Sequence, residues 1–167
     1  GVGILVTASK ADRLEETAMM KVAESMRTLN YKASLIAREF GAHACTDVTG
    51  FGFLGHLHEM GGGKLTIEVQ SSSVPYFPEA LPMAAMGIIP AGSYANREYL
   101  EGKVRFAHDI GSDMEMLLFD AQTSGGLLIA ASPENARRIE ERCLSEGIGA
   151  AIVAQVVSKA DTDIIVG

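Results

Sequence analysis

The stretch ACTDVTGFGFLGHLHEM, residues 44 to 60, gathers most of the residue types in this chain that could do chemistry. One carboxylate, Asp47, stands between Thr46 and Thr49 and ahead of Gly50, Gly52 and Gly55, just before an apolar helical pattern. Asp47 or Thr49 can cap that helix, accepting backbone N–H bonds and favouring the positive end of its dipole. Asp47 can equally serve as a hard oxygen ligand for Mg²⁺, a metal that takes one or two carboxylates together with substrate phosphates. The glycines then have a purpose, because a backbone without side chains can approach a phosphate closely. Cap and ligand do not exclude one another.

A transition-metal site is a third reading. His43, Cys45 and Asp47 alternate, so on a strand they would share one face. Cys45, however, is flanked by small residues and is expected to be buried, as free cysteines usually are. His56 and His58 diverge by about 200° around a helix and cannot chelate one ion together. His56 is expected on the polar face with Glu59, and Phe53, Leu54, Leu57 and Met60 on the buried face.

Other patterns are weaker. Gly50 to Gly55 matches G-x-G-x-x-G, with Glu68 about where a ribose-binding acid might follow. A dinucleotide turn needs a buried apolar strand running into the first glycine, and the lead-in here is the polar CTDVT. GGGKLT fails as a phosphate loop, since its first glycine would fall at His58 and leucine follows Lys64. QTSGG is no nucleophile elbow, because Gln122 stands where the first glycine belongs. It reads as a tight turn feeding a strand.

The elements that must position these residues follow from periodicity. GILVTA reads as a buried strand. DRLEETAMMKVAESMRTL places Leu14, Ala18, Val22, Met26 and Leu29 on one helical stripe, with Asp12 and Glu15 spaced as a capping box. A helix over 33–40 ends at Gly41. KLTIEVQ alternates as a strand with one face open to solvent. The segment from Val74 to Tyr94 holds four of the five prolines and is expected to form short helices or turns. KVRFA is a strand, SDMEMLLF a helix from Ser112, and GGLLIAA a buried strand. SPENARRIEERCLSEG is a helix with Ser132 as N-cap, Pro133 in its first turn and Gly147 at its end. AAIVAQVV closes as a strand, followed by DIIV. The order is not a strict βαβ alternation, which predicts an α+β fold with helices packed on a mixed sheet.

The whole chain, 1–167, fits one domain. Its 47% hydrophobic content and 21% charged content are those of a soluble globular protein, and no apolar run approaches bilayer length. The formal charge of −7, without any Lys/Arg cluster, excludes a nucleic-acid footprint. It excludes polyphosphates less firmly, because a divalent cation can bridge like charges. The opening GVGILVTA lacks the features of a secretory signal and starts inside an apolar run. A cytoplasmic setting with reduced Cys45 and Cys143, and a chain that is part of something longer, are the expectations.

HACTDVTGFGFLGHLHEM together with DAQTSGGLLIA resembles the carboxy-terminal half of the selenophosphate synthetase family, within the aminoimidazole ribonucleotide synthetase superfamily. The likeness covers nearly the whole chain; LVTASKAD resembles the family's entry into this domain and FPEALPMAAMGIIPAGSYAN its middle. Ala121 stands where the family often has proline, and Phe53 where it often has leucine. The resemblance implies an enzyme that uses ATP, selenide and water to make selenophosphate, AMP and orthophosphate with Mg²⁺. It implies an α+β carboxy-terminal domain, and an amino-terminal domain that forms a homodimer and supplies the catalytic Cys (or selenocysteine), Lys and further metal-binding aspartates. On this chain it places Asp47 as a Mg²⁺ ligand and sets Thr46, Thr49, Gly50 and Gly52 near the ATP phosphates. No catalytic residue is expected within the chain, and no membrane partner. Alternatives are another ATP-dependent synthetase or kinase of the superfamily, or a non-catalytic binding or assembly module with the same fold.

Overall fold

Fourteen regular elements follow one another in the computed structural model, which describes residues 1–167. They run α1 (Val2–Lys10), α2 (Glu16–Arg27), α3 (Tyr31–Glu39), β1 (Ala44–Asp47), α4 (Gly52–Gly61), β2 (Leu65–Val69), α5 (Ala80–Ala85) and α6 (Ala91–Tyr99). β3 (Val104–Phe106), α7 (Ser112–Leu118), β4 (Leu127–Ala130), α8 (Pro133–Ser145), β5 (Ala154–Ser158) and β6 (Ile164–Val166) complete the chain. The fold is α+β, as the element order implied. Its strands form two sheets rather than one. β1 and β4 make an antiparallel ribbon, and a mixed sheet has the order β3-β6-β2-β5. In the mixed sheet β2 and β3 flank β6 in parallel, while β5 runs antiparallel to β2.

Three apolar clusters hold these layers together. The largest packs Leu54 and Leu57 of α4 and Leu118 of α7 against Ile67, Ile164 and Val166 of the mixed sheet. A second joins Ile4 and Leu5 of α1, Val22 of α2, Ala80 and Ala84 of α5 and Leu117 of α7. Leu117 and Leu118 therefore face different clusters from adjacent positions of one helix. The third is small, with Ile36 of α3 against Ile139 and Cys143 of α8. No helix is long and apolar enough to cross a membrane.

Several elements match the sequence pattern. α3 stops before Gly41 at φ 67°, α7 starts at Ser112, and Ser132 Oγ accepts the Asn135 N–H at 3.4 Å at the head of α8. The prolines from Pro75 to Pro90 sit around two short helices, α5 and α6, as expected.

Other elements differ, for identifiable reasons. GILVTA is the body of α1, not a strand. Its first turn is held from afar: the Val2 N–H donates to Gln122 Oε1 at 3.1 Å and the Ile4 N–H to Asp120 Oδ2 at 3.1 Å. These are the orphan donors of a helix start, and no local residue supplies their acceptors. The capping box is absent. Asp12 sits at φ 53°, Glu15 takes the N-cap position of α2 without a side-chain bond, and Leu29 lies beyond the helix and is 82% exposed. β1 was not among the expected elements. On β2, Thr66 is buried on the face expected to be open, because its hydroxyl donates to Thr162 O and accepts the Ala160 N–H.

Candidate functional site

Asp47 ends β1, paired in register with Leu127 at the start of β4. Past this pair the two strands stay stitched. The Val48 N–H donates to Gly126 O at 2.9 Å, the Gly125 N–H to Val48 O at 3.0 Å and the Gln122 N–H to Thr49 O at 3.1 Å. TDVTG and QTSGG, far apart in sequence, therefore lie side by side as one loop pair. Contact is tight enough that a Cβ at Gly125 would stand 2.5 Å from Val48 O. Asn30 secures one side by donating to Gly125 O at 3.0 Å, and Asn96 the other by donating to Gly50 O at 2.8 Å and Phe119 O at 3.0 Å.

The Asp47 side chain is exposed and takes part in no hydrogen bond or ion pair with the protein; only its backbone oxygen accepts, from Thr46 Oγ1 at 3.4 Å. It is not a helix cap. α4 begins at Gly52 with Phe51 as N-cap and no side-chain cap bond. Between them, Thr49 to Gly52 form a turn closed by the Gly52 N–H on Thr49 O at 3.0 Å, which puts Asp47 too far back to reach the helix start. Thr49 is not a cap either, since its hydroxyl lies 3.1 Å from His56 Nε2.

The remaining expected site residues separate into two kinds. Thr46 alternates with Asp47 along β1 and so points to the other face of the ribbon. Gly50 is exposed, and a Cβ there would meet nothing within 4 Å. Gly52 is buried at φ 71°, where a Cβ would stand 2.8 Å from the carbonyl oxygens of both Phe119 and Asp120. Its lack of a side chain thus answers to the protein's own backbone. The N–H groups of Gly50, Phe51, Thr123 and Ser124, two on each loop, donate to no protein acceptor. Exposed backbone donors of this kind can take an anion's oxygens.

His43, Cys45 and Asp47 do not form a metal site, because no three His, Cys, Asp or Glu side chains converge anywhere in the chain. Cys45 is exposed rather than buried. Partial burial, and then the charge of Asp47, push its thiol pKa upward, which leaves it a poor thiolate at neutral pH. Asp47 is the one carboxylate of the TDVTG and QTSGG loops. That fits a metal that keeps most of its waters and draws its other ligands from phosphates and from groups outside this chain.

Sequence reasoning missed the residues that hold the loops. His56 is buried, not on a polar face, although it does contact Glu59, with Nδ1 3.0 Å from Oε2. Asp120 has no solvent exposure and accepts from Ile4, Ser93 and Gln122. The i,i+3 spacing of His56 and Glu59 was a local signal; Asp120 takes Ile4 and Ser93, and Asn96 takes Gly50 and Phe119, from distant parts of the sequence.

An α+β domain with a carboxylate-bearing strand end laid against a glycine-rich turn is the class that fold and site define. The family model for AIR synthase related protein, C-terminal domain, matches residues 1–167, and the chain belongs to that family. It is 41% identical over 167 residues to the selenide, water dikinase of Clostridium botulinum (strain Eklund 17B / Type B). To proteins of the same description it is 43% identical over 171 residues in Pelobacter propionicus and 42% over 168 residues in Caldanaerobacter subterraneus subsp. tengcongensis. Each comparison covers 99% of this chain and 48% of the relative, so the chain spans about half the length of the curated relatives it matches.

Proposed function

We propose that this chain is the carboxy-terminal half of a selenide, water dikinase, a cytoplasmic homodimer that converts ATP, selenide and water to selenophosphate, AMP and orthophosphate. The observation that carries this reading is the exposed, unpartnered Asp47 carboxylate on a loop pair whose N–H groups at Gly50, Phe51, Thr123 and Ser124 are also unclaimed. Membership of the family, and relatives that carry the name selenide, water dikinase, support it.

Asp47 would hold Mg²⁺ together with carboxylates of the amino-terminal half. The chemistry such an ion would supply is positive charge to offset that of the phosphates during phosphoryl transfer. The chain's own residues divide the remaining work. The free N–H groups of the two loops offer donors to phosphate oxygens, and Gly50 leaves room for a phosphate to come close. Asn96 and Asn30 anchor the loops, each by a bond to a loop carbonyl. A single carboxylate is a poor site for a strongly hydrated ion, so this chain by itself neither binds Mg²⁺ tightly nor hydrolyses ATP.

The test is phosphorus NMR of the full-length enzyme with ATP, selenide and Mg²⁺, comparing wild type with Asp47→Asn. Asparagine keeps the size and removes the charge. Selenophosphate and AMP from wild type, lost in a folded mutant, are the expected result. An equally active mutant removes Asp47 from the metal site. A wild type that makes no selenophosphate reduces the likeness to one of fold.

A further inference from the structure

The two ring nitrogens of His56 have different neighbours, and the difference fixes its proton. Nε2 lies 3.0 Å from the Thr49 backbone nitrogen and 3.1 Å from Thr49 Oγ1, while Nδ1 lies 3.0 Å from Glu59 Oε2. A backbone N–H can only donate, so Nε2 is the acceptor and bears no hydrogen. The neutral ring then carries its hydrogen on Nδ1 and donates it to the Glu59 carboxylate. The contact with Glu59 is a hydrogen bond to a carboxylate, not an ion pair. Thr49 Oγ1 can approach a bare Nε2 only as donor. Its hydrogen is therefore turned inward to the ring, and its oxygen is left to accept from whatever lies outside.

The ring is itself held. It is buried to 6% exposure, and the Phe51 ring meets it edge-on at 5.9 Å between centroids. Phe51 comes that close because position 55 is glycine; a Cβ there would stand 2.8 Å from Phe51 Cβ. Glu59, 60% exposed at its side chain, sets the tautomer from the solvent side.

We propose that His56 is a positioning residue of this site: through Nε2 it holds both the amide and the hydroxyl of Thr49, so that Thr49 presents an acceptor oxygen on the loop that bears Asp47. An acceptor oxygen suits a cation or a metal-bound water, not a phosphate oxygen. The loop is thereby divided, with Asp47 and Thr49 Oγ1 for the cation and the N–H groups of Gly50 and Phe51 for the anion. For the identity of those ligands the inference rests on the function proposed above; for the geometry it does not.

Two variants separate the two ring nitrogens. Glutamine reaches as far as Nε2 and can accept there, whereas asparagine stops at the position of Nδ1 and can only serve Glu59. Long-range proton–nitrogen NMR of the ¹⁵N-labelled chain reads the tautomer, and amide exchange reads Thr49. The expected result is an Nδ1–H ring in wild type, Thr49 exchange faster by about tenfold in His56→Asn, and recovery in His56→Gln. In the full-length enzyme the Mg²⁺ concentration for half-maximal activity rises several-fold in His56→Asn and returns in His56→Gln. An Nε2–H ring, unchanged Thr49 exchange in His56→Asn, or the same Mg²⁺ dependence in all three proteins overturns the proposal. Should His56→Asn fail to fold, the wild-type tautomer and the glutamine variant decide it. A wild-type enzyme that makes no selenophosphate sinks the proposed reaction alone; the tautomer and the Thr49 amide then judge His56 in the chain itself.

Discussion

Asp120 and Ile4, 116 residues apart in sequence, are joined by a 3.1 Å hydrogen bond in which the Ile4 N–H donates to a carboxylate with no solvent exposure. The same carboxylate accepts from Ser93 Oγ at 2.9 Å and from Gln122 Nε2 at 3.1 Å. It thus caps α1, anchors α6 through Ser93 and fixes the first residues of the QTSGG loop. Asp120→Ala leaves three donors without their acceptor, at least one of them a backbone group that cannot turn away. Its expected cost is about 2–4 kcal/mol of stability, because an unsatisfied buried donor costs about 1–3 kcal/mol. Asp120→Asn keeps one acceptor oxygen and costs less. Urea denaturation at unchanged m value measures both, and a loss below about 0.5 kcal/mol for the alanine variant would show that the network is dispensable.

Gly50 and Gly52 lie two residues apart but have different reasons to be glycine. Gly52→Ala forces a Cβ to 2.8 Å from two carbonyl oxygens at a φ of 71°, so it is expected to destabilise the fold by more than about 2 kcal/mol. Gly50→Ala meets nothing within 4 Å and is expected to leave the denaturation midpoint nearly unchanged. In the full-length enzyme, Gly50→Ala should nevertheless raise the KM for ATP, since the added methyl occupies space that the proposed phosphate needs. A stable Gly50→Ala enzyme with wild-type KM would remove Gly50 from the ligand site.

How far the sequence revealed this molecule depended on the range of each interaction. α8 was legible because Ser132, Pro133 and the apolar Ile139 and Cys143 lie within one helix, and β2 because its alternation is local. α1 was not, because six apolar residues in a row fit a buried strand or a buried helix equally well. The choice was made by Asp120 and Gln122, which accept from N–H donors more than a hundred residues away. Asp47 was picked out from its setting, yet the cap that its neighbours suggested did not form. The turn from Thr49 to Gly52 came between Asp47 and the helix, and His56 took the Thr49 hydroxyl.

Asp163 closes the β5–β6 turn on itself and ties it to α4, with Lys159 Nζ of the same turn at 2.8 Å from one carboxylate oxygen and His58 Nε2 of α4 at 2.9 Å from the other. The hydrogen bond from Lys159 holds the Asp163 carboxyl below its usual range; partial burial opposes this, and His58 adds to it. A carboxyl lowered on folding stabilises the folded state above its unfolded pKa of about 3.9, and that contribution disappears as pH falls through the lower, folded value. Asp163→Asn is therefore expected to be less stable than wild type near pH 6, with the gap closing below about pH 4. Both partners are partly exposed, so 1 M salt should narrow the gap at pH 6 as well. Denaturation midpoints at the two pH values check the sign; a gap that widens in acid contradicts it.

Cys45 offers a local reporter for Asp47. The thiol is exposed, while Cys143 is buried in the contact between α3 and α8. Burial first, and the Asp47 charge second, raise the Cys45 pKa. Residues two apart on a strand are roughly 6–7 Å apart, where a unit charge in water contributes about 0.6 kcal/mol, or about threefold in thiolate population. Alkylation of the native chain near pH 7.5 should therefore label Cys45 slowly and Cys143 more slowly still. Asp47→Asn should speed the Cys45 reaction by about threefold, less in high salt. Under the proposed function, saturating Mg²⁺ and ATP would act on the same thiol of the full-length enzyme in two opposed ways, by neutralising Asp47 and by covering the loop. Magnesium alone, without nucleotide, isolates the first effect: faster labelling in wild type that is absent from Asp47→Asn places the ion at this carboxylate. Equal acceleration in both proteins places it elsewhere.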